Sequence, residues 1–128
     1  MNRYISETIR KKVIIRANHC CEYCQISDDD IYFPHQIDHI ISRKHGGGST
    51  LENLAYACFA CNNAKGSDIG TILLPDKVFI RLFNPREDTW NDHFEMDNGV
   101  IYAKTTIGQA TVKVLNLNDI NRIIERIT

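Results

Sequence analysis

Two cysteine pairs bracket the most informative stretch of this chain: residues 21–24, Cys-Glu-Tyr-Cys, and residues 58–65, Cys-Phe-Ala-Cys-Asn-Asn-Ala-Lys. Asp38-His39-Ile40-Ile41, Gly46-Gly47 and Asn53-Leu54 lie between them. Two residues between cysteines let a tight turn bring both sulfurs to one ion, and a second such turn completes a tetrahedral shell. Cys21, Cys24, Cys58 and Cys61 therefore predict a structural Zn²⁺ site with no coordination position left for water. The 33 residues between the pairs exceed the span usual for a zinc ribbon. That length holds a strand and a loop, whose ends the metal would clamp, a large help to a small core. Cys20 has the less common Cys-x3-Cys spacing to Cys24 and is left out of the set.

Working outward, Ser6 to Ala17 reads as an amphipathic helix with Ile9, Val13, Ile14 and Ala17 on one face and Ser6 as its N-cap. After the first knuckle comes an acidic loop, Asp28-Asp29-Asp30. Tyr32 to Ile41 is rich in β-formers and predicts a strand bent at Pro34. Residues 46–50, Gly-Gly-Gly-Ser-Thr, form a loop. Leu51 to Cys58 returns as a short apolar segment, and Cys61 to Lys65 starts a helix stopped near Gly66. Beyond it, Val78 to Phe83 alternates as a strand, and Asn98-Gly99 marks a hairpin between residues 94–96 and 100–103. Thr106 and Asn118 are the expected caps of two final helices. Trp90 and Phe94, one helical turn apart, read as core.

The chain of 128 residues is 43% hydrophobic and 24% charged, the composition of an ordinary globular protein. No apolar run reaches the length of a membrane span, and the first residues carry no hydrophobic signal core, so a cytoplasmic setting without membrane contact is the expectation. With 15 basic and 16 acidic residues and a net charge of −1, bulk attraction to nucleic acid is excluded. Any grip on phosphates must come from local clusters.

Taken in order, Cys21/Cys24, Asp38-His39, Gly46-Gly47, Asn53-Leu54 and Cys58/Cys61-Asn62-x2-Lys65 resemble the HNH endonuclease family, in its four-cysteine, zinc-containing subgroup. The resemblance implies an α+β fold with a ββα-metal core over residues 6–66, an N-terminal helix, and a small α+β extension over residues 67–128 packed on it as one domain. It also implies metal-dependent hydrolysis of DNA phosphodiesters, leaving 5′-phosphate and 3′-hydroxyl ends. His39 suits the general base, since its unperturbed pKa lies near neutrality. By resemblance Asp38 and Asn62 hold a divalent cation, for which oxygen ligands favour Mg²⁺ or Mn²⁺, with Ni²⁺ also admissible. Asn53 matches the family's central asparagine and is expected to hold the loop after His39. Asp38 and His39 are neighbours on a strand and should face opposite ways unless the strand end bends.

Lys65, one turn from Asn62, is expected to reach a phosphate, and Arg43 and Lys44, with His45, to line a DNA-facing loop. Ser42 stands where the family usually has proline. Leu82 to Arg86, Trp90, His93-Phe94 and the run from Thr106 to Val112 resemble an extension found in a group of bacterial HNH proteins. After Gly66 there are nine acidic and seven basic residues, which makes this half a poor main DNA surface. The expected partner is double-stranded DNA, and a homodimer is favoured if one site per chain cuts both strands. The competing reading is a catalytically inactive zinc module that binds nucleic acid or protein.

Overall fold

The computed structural model describes residues 5–128; Met1 to Tyr4, part of the start in which no signal core was expected, lie outside the described residues. Helix α1 (Glu7–Arg16) opens where the Ser6 hydroxyl accepts the Ile9 amide at 3.2 Å. Strands β1 (Gln36–His39) and β2 (Leu54–Ala57) pair antiparallel, with Asp38 opposite Ala55 and His39 opposite Leu54. Helix α2 (Phe59–Lys65) follows at once. Val13 of α1 packs with Leu54 and Tyr56 of β2 in a small cluster of its own.

The strand expected over Tyr32–Ile41 is shorter than its composition suggested. Pro34 lacks a ladder donor, and Tyr32 and Phe33 lie outside β1 with their rings exposed. Conversely, α2 begins earlier than expected, at Phe59, because Cys58 itself caps it: its sulfur accepts the Cys61 amide at 3.4 Å. One sulfur thus terminates a strand connection and starts a helix.

The second half holds the hairpin β3 (Gly70–Leu73) and β4 (Val78–Arg81), the short helix α3 (Trp90–His93), the hairpin β5 (Phe94–Asp97) and β6 (Val100–Ala103), and helices α4 (Thr106–Val114) and α5 (Ile120–Ile127). The result is a mixed α+β fold in which every strand pair is antiparallel. Strand β3 was not legible in the sequence, and β4 stops at Arg81 because Leu82 and Phe83 turn into the core. Asn98 and Gly99 both have positive φ, 51° and 81°, as a tight two-residue hairpin turn requires.

Two expected caps shift by one residue. Thr105, not Thr106, accepts the Gly108 amide, and Asp119, not Asn118, accepts that of Asn121. Asn118 instead ties the last loop to β6, its side-chain amide accepting the Ile101 N–H at 2.9 Å and donating to the Ile101 carbonyl at 2.8 Å.

Tyr23, Phe83, Phe94, Ile101, Leu115 and Leu117 share one buried cluster with all four paired cysteines. Trp90 lies against Phe94, ring centroids 5.1 Å apart, and donates its indole N–H to the Tyr23 carbonyl at 2.9 Å. Arg86 donates to the Leu54 carbonyl and pairs with Glu22, so it braces β2 instead of facing solvent. Among the described residues no helix is long and apolar enough to cross a membrane. Phe94 is 1% exposed. Phe94→Ala is expected to lower the unfolding free energy by about 3–5 kcal/mol, measured by urea denaturation with zinc kept saturating.

Candidate active site

The sulfurs of Cys21, Cys24, Cys58 and Cys61 all lie within 4.8 Å of one another, and all four residues are buried. A tetrahedral Zn–S shell with bonds of about 2.3 Å has S–S edges of roughly 3.8 Å; Cys24 and Cys58 Sγ stand 3.7 Å apart. The donor set and its dimensions therefore fit a structural zinc ion. Cys20 is outside the cluster. Each pair also caps its own turn, Cys21 Sγ accepting the Cys24 amide and Cys58 Sγ that of Cys61, both at 3.4 Å.

A residue the sequence reading passed over completes this centre. Arg122 of α5 is buried and donates to Cys61 Sγ at 2.8 Å, while its other nitrogen serves the carbonyls of Leu115 and Asn116. Burial alone would weaken its protonated form, but the sulfurs of Cys61, Cys24 and Cys58 hold its pKa above the ordinary arginine value. A zinc ion with four thiolates carries excess negative charge, and Arg122 offsets part of it inside the core. The stretch Ile120–Ile127 holds two arginines, Arg122 and Arg126, and nothing in the local sequence marks Arg122 as the buried one.

Beside this centre, β1 and α2 form the walls of an open groove of about 380 Å³, lined by Asp38, His39, Ser42, Arg43 and Asn62 among others. His39 is half-buried, and its Nε2 lies 2.9 Å from Ser49 Oγ. Partial burial, with Arg43 and Lys65 nearby, outweighs the pull of Asp38 and moves its pKa below the usual histidine value, favouring the neutral imidazole. Ser49 was not singled out from the sequence, where it reads as loop.

Asn53 accepts the Ile41 amide through Oδ1 at 2.9 Å and donates through Nδ2 to the carbonyls of Ile41 and Gly48, at 2.8 and 2.9 Å. The loop closes so tightly that a Cβ on Gly47 would overlap the Ile41 carbonyl and sit 2.6 Å from Asn53 Nδ2. Arg43 and Lys44, with His45, form an exposed 3-10 turn at the groove's edge.

Asp38 and His39 do part company, as neighbours on a strand should. The Asp38 carboxylate points inward, 3% exposed. It accepts Tyr23 OH at 2.7 Å and faces Lys65 Nζ at 3.3 Å. Burial pushes its pKa up, against the opposing pull of Lys65 and Tyr23.

Lys65 corrects the expectation of a phosphate contact. It is 2% exposed, and besides Asp38 it donates to the carbonyls of His39 and Ile40 at 3.1 and 3.0 Å. Position 65 lies on the inner face of α2, so its ammonium holds the end of β1 and is withdrawn from the surface. Asn62, one turn earlier, lines the groove and donates Nδ2 to Gln36 Oε1, which leaves its amide oxygen free.

These positions fit a divalent cation at the groove only through a narrow opening. Lys65 and Tyr23 together take about two of the carboxylate's roughly four lone-pair directions, so Asp38 and Asn62 are the residues that would hold such an ion. Such a site is weak by itself and suits a hydrated ion completed by substrate phosphate.

Residues 21–68 match the family model described as HNH endonuclease. The matched segment spans both knuckles, β1, β2 and α2. The chain is also similar to the Septu protein PtuB of Bacillus thuringiensis, with 26% identity over 118 residues, 91% of this chain and 43% of that relative. The chain therefore spans less than half the length of the curated relative it matches. No solved structure matches it.

Zinc removal by a strong chelator is expected to abolish near-UV circular dichroism from the shared core. Arg122→Met should make zinc transfer to a colorimetric chelator about 10- to 100-fold more favourable, since a charge-assisted hydrogen bond is worth about 1.5–3 kcal/mol. At the groove, Ser42 has φ −65°, the value proline imposes, and its hydroxyl is buried with no hydrogen-bond partner. Ser42→Pro should raise stability by about 0.4–1 kcal/mol, read as a higher urea midpoint.

Proposed function

We propose that this chain is a metal-dependent nuclease that hydrolyses DNA phosphodiesters at the β1–α2 groove, with His39 as general base. The observation that carries the reading is the placement of His39. A neutral imidazole, fixed through Nε2 by Ser49 and from behind by the Asn53-bound loop, opens onto a groove that Asp38 and Asn62 also line. The HNH match over residues 21–68 supports a nuclease-type function in general.

With Nε2–H donating to Ser49, Nδ1 keeps the lone pair that takes the proton from an attacking water. The water oxygen then bonds to phosphorus as the bond to the leaving 3′-oxygen breaks. Asp38 and Asn62 are the residues that would hold Mg²⁺ or Mn²⁺, which supplies charge stabilisation on the phosphate. Arg43 and Lys44 give the substrate its positive edge. Asn53 and Gly47 touch no substrate in this scheme; they position the imidazole. A single groove per chain cuts one strand per encounter, so cleavage of both strands at one place calls for two copies.

One observation favours the competing reading of an inactive zinc module binding nucleic acid or protein: Asp38 is already balanced by a buried ammonium. Cleavage of plasmid DNA with Mg²⁺, Mn²⁺ or Ni²⁺ separates the two. His39→Ala is expected to lower the rate by about 10²–10⁴-fold, and Ser49→Ala by about tenfold through loss of imidazole orientation. Wild-type cleavage that survives unchanged in purified His39→Ala protein would falsify the assignment.

A further inference from the structure

The nuclease reading leaves one exposed feature beside the groove unused. Tyr32, Phe33 and Phe59 form a surface aromatic stack. Phe33 lies nearly parallel to Phe59, with centroids 5.1 Å apart and planes at 29°, while Tyr32 meets Phe33 edge-on at 5.2 Å. Their exposures are 92% for Tyr32, 55% for Phe33 and 42% for Phe59. Such rings are seldom left in water without use.

Their position ties them to the groove. On α2, Phe59 precedes Asn62 by one turn, an axial rise of about 4.5 Å. On the other wall Phe33 precedes Gln36, the residue that binds Asn62. Helix α2 therefore carries both Asn62 and Phe59, the segment leading into β1 carries Phe33, and the exposed Arg43–His45 turn lies at the groove's edge.

Resting on the nuclease reading, we infer that this ledge stacks an unpaired base of the substrate strand next to the cleavage site. The chemistry favours a base over a second protein. The groove has few cations and the chain is net negative, so phosphate neutralisation supplies only modest affinity. Stacking on an aromatic face supplies about 1–3 kcal/mol per base and needs no cation. Asp29 and Asp30, exposed just before the ledge, repel a second phosphate backbone from that flank. A regular duplex is thereby disfavoured there, and a frayed, flapped or single-stranded segment fits. The preferred substrate is accordingly DNA with an unpaired stretch adjoining the scissile bond.

The test uses the full chain with zinc bound and His39→Ala added to prevent cutting. The probes are a blunt duplex and the same duplex with a short single-stranded tail carrying 2-aminopurine. Quenching of the 2-aminopurine on binding, lost in Phe33→Ala/Phe59→Ala with a fall of about 5- to 150-fold in affinity for the tailed probe, is the expected result. Phe33→Trp should keep the quenching. Both rings are at the surface, and unchanged zinc content with native circular dichroism verifies the double variant's fold.

Quenching and affinity that do not change in the double variant overturn the ledge, as does an equal loss for the blunt duplex. A partner protein lost on the same substitutions, with tailed-probe binding intact, also overturns it and makes the patch a protein dock. Failure of the nuclease reading reads differently: wild-type protein then cuts no plasmid with any of the metals, whatever the fluorescence shows.

Discussion

Four sulfurs meeting at one point is the constraint on which the rest of the molecule hangs. The two cysteine pairs are 33 residues apart, and everything between them must leave one knuckle and return to the other. That loop closure fixes where β1 and β2 pair and where α2 starts, since Cys58 is both a sulfur donor and the helix cap. The cluster also sits inside the main apolar core instead of on a rim. Through Arg122 it reaches the last helix of the chain. The four-sulfur centre thus ties the two knuckles and the last helix into one core.

Around this centre the polar groups divide by depth. Asp38, Tyr23 and Lys65 form a buried set whose charges answer each other and which holds the end of β1. His39, Asn62 and Arg43 line the groove, with Ser49 holding the imidazole. The division follows from strand geometry: adjacent residues point to opposite faces, so the Asp38-His39 pair necessarily sends one side chain inward and keeps the other at the opening. A groove-lining side chain and a supporting one thus come from consecutive residues of one strand.

Local spacing made much of this legible. Each Cys-x2-Cys knuckle, the α1 cap at Ser6, the Asn98-Gly99 turn and the packing of Trp90 on Phe94 depend on residues within a few positions of one another, and the structure has all of them. Misreadings arose where a distant group decided the outcome. Lys65 reads as a helix-surface cation until the carbonyls of His39 and Ile40 are placed beneath it. Arg122 reads as a surface arginine of an amphipathic helix until the Cys61 sulfur, 61 residues earlier, is placed beside it. Ser49 is loop until the imidazole of His39 arrives. The Tyr32–Ile41 run has strand composition throughout, yet no neighbouring strand extends to pair with Tyr32 and Phe33.

The loop after β1 also restricts how a chain of this design diversifies. Its turn is closed by a carbonyl, an amide and a glycine that meet with no spare room. Any lengthening or bulkier residue at Gly47 displaces the imidazole along with the loop. Substitution is least tolerated in that segment, whereas the outward-facing turn at 43–45 has open space for it.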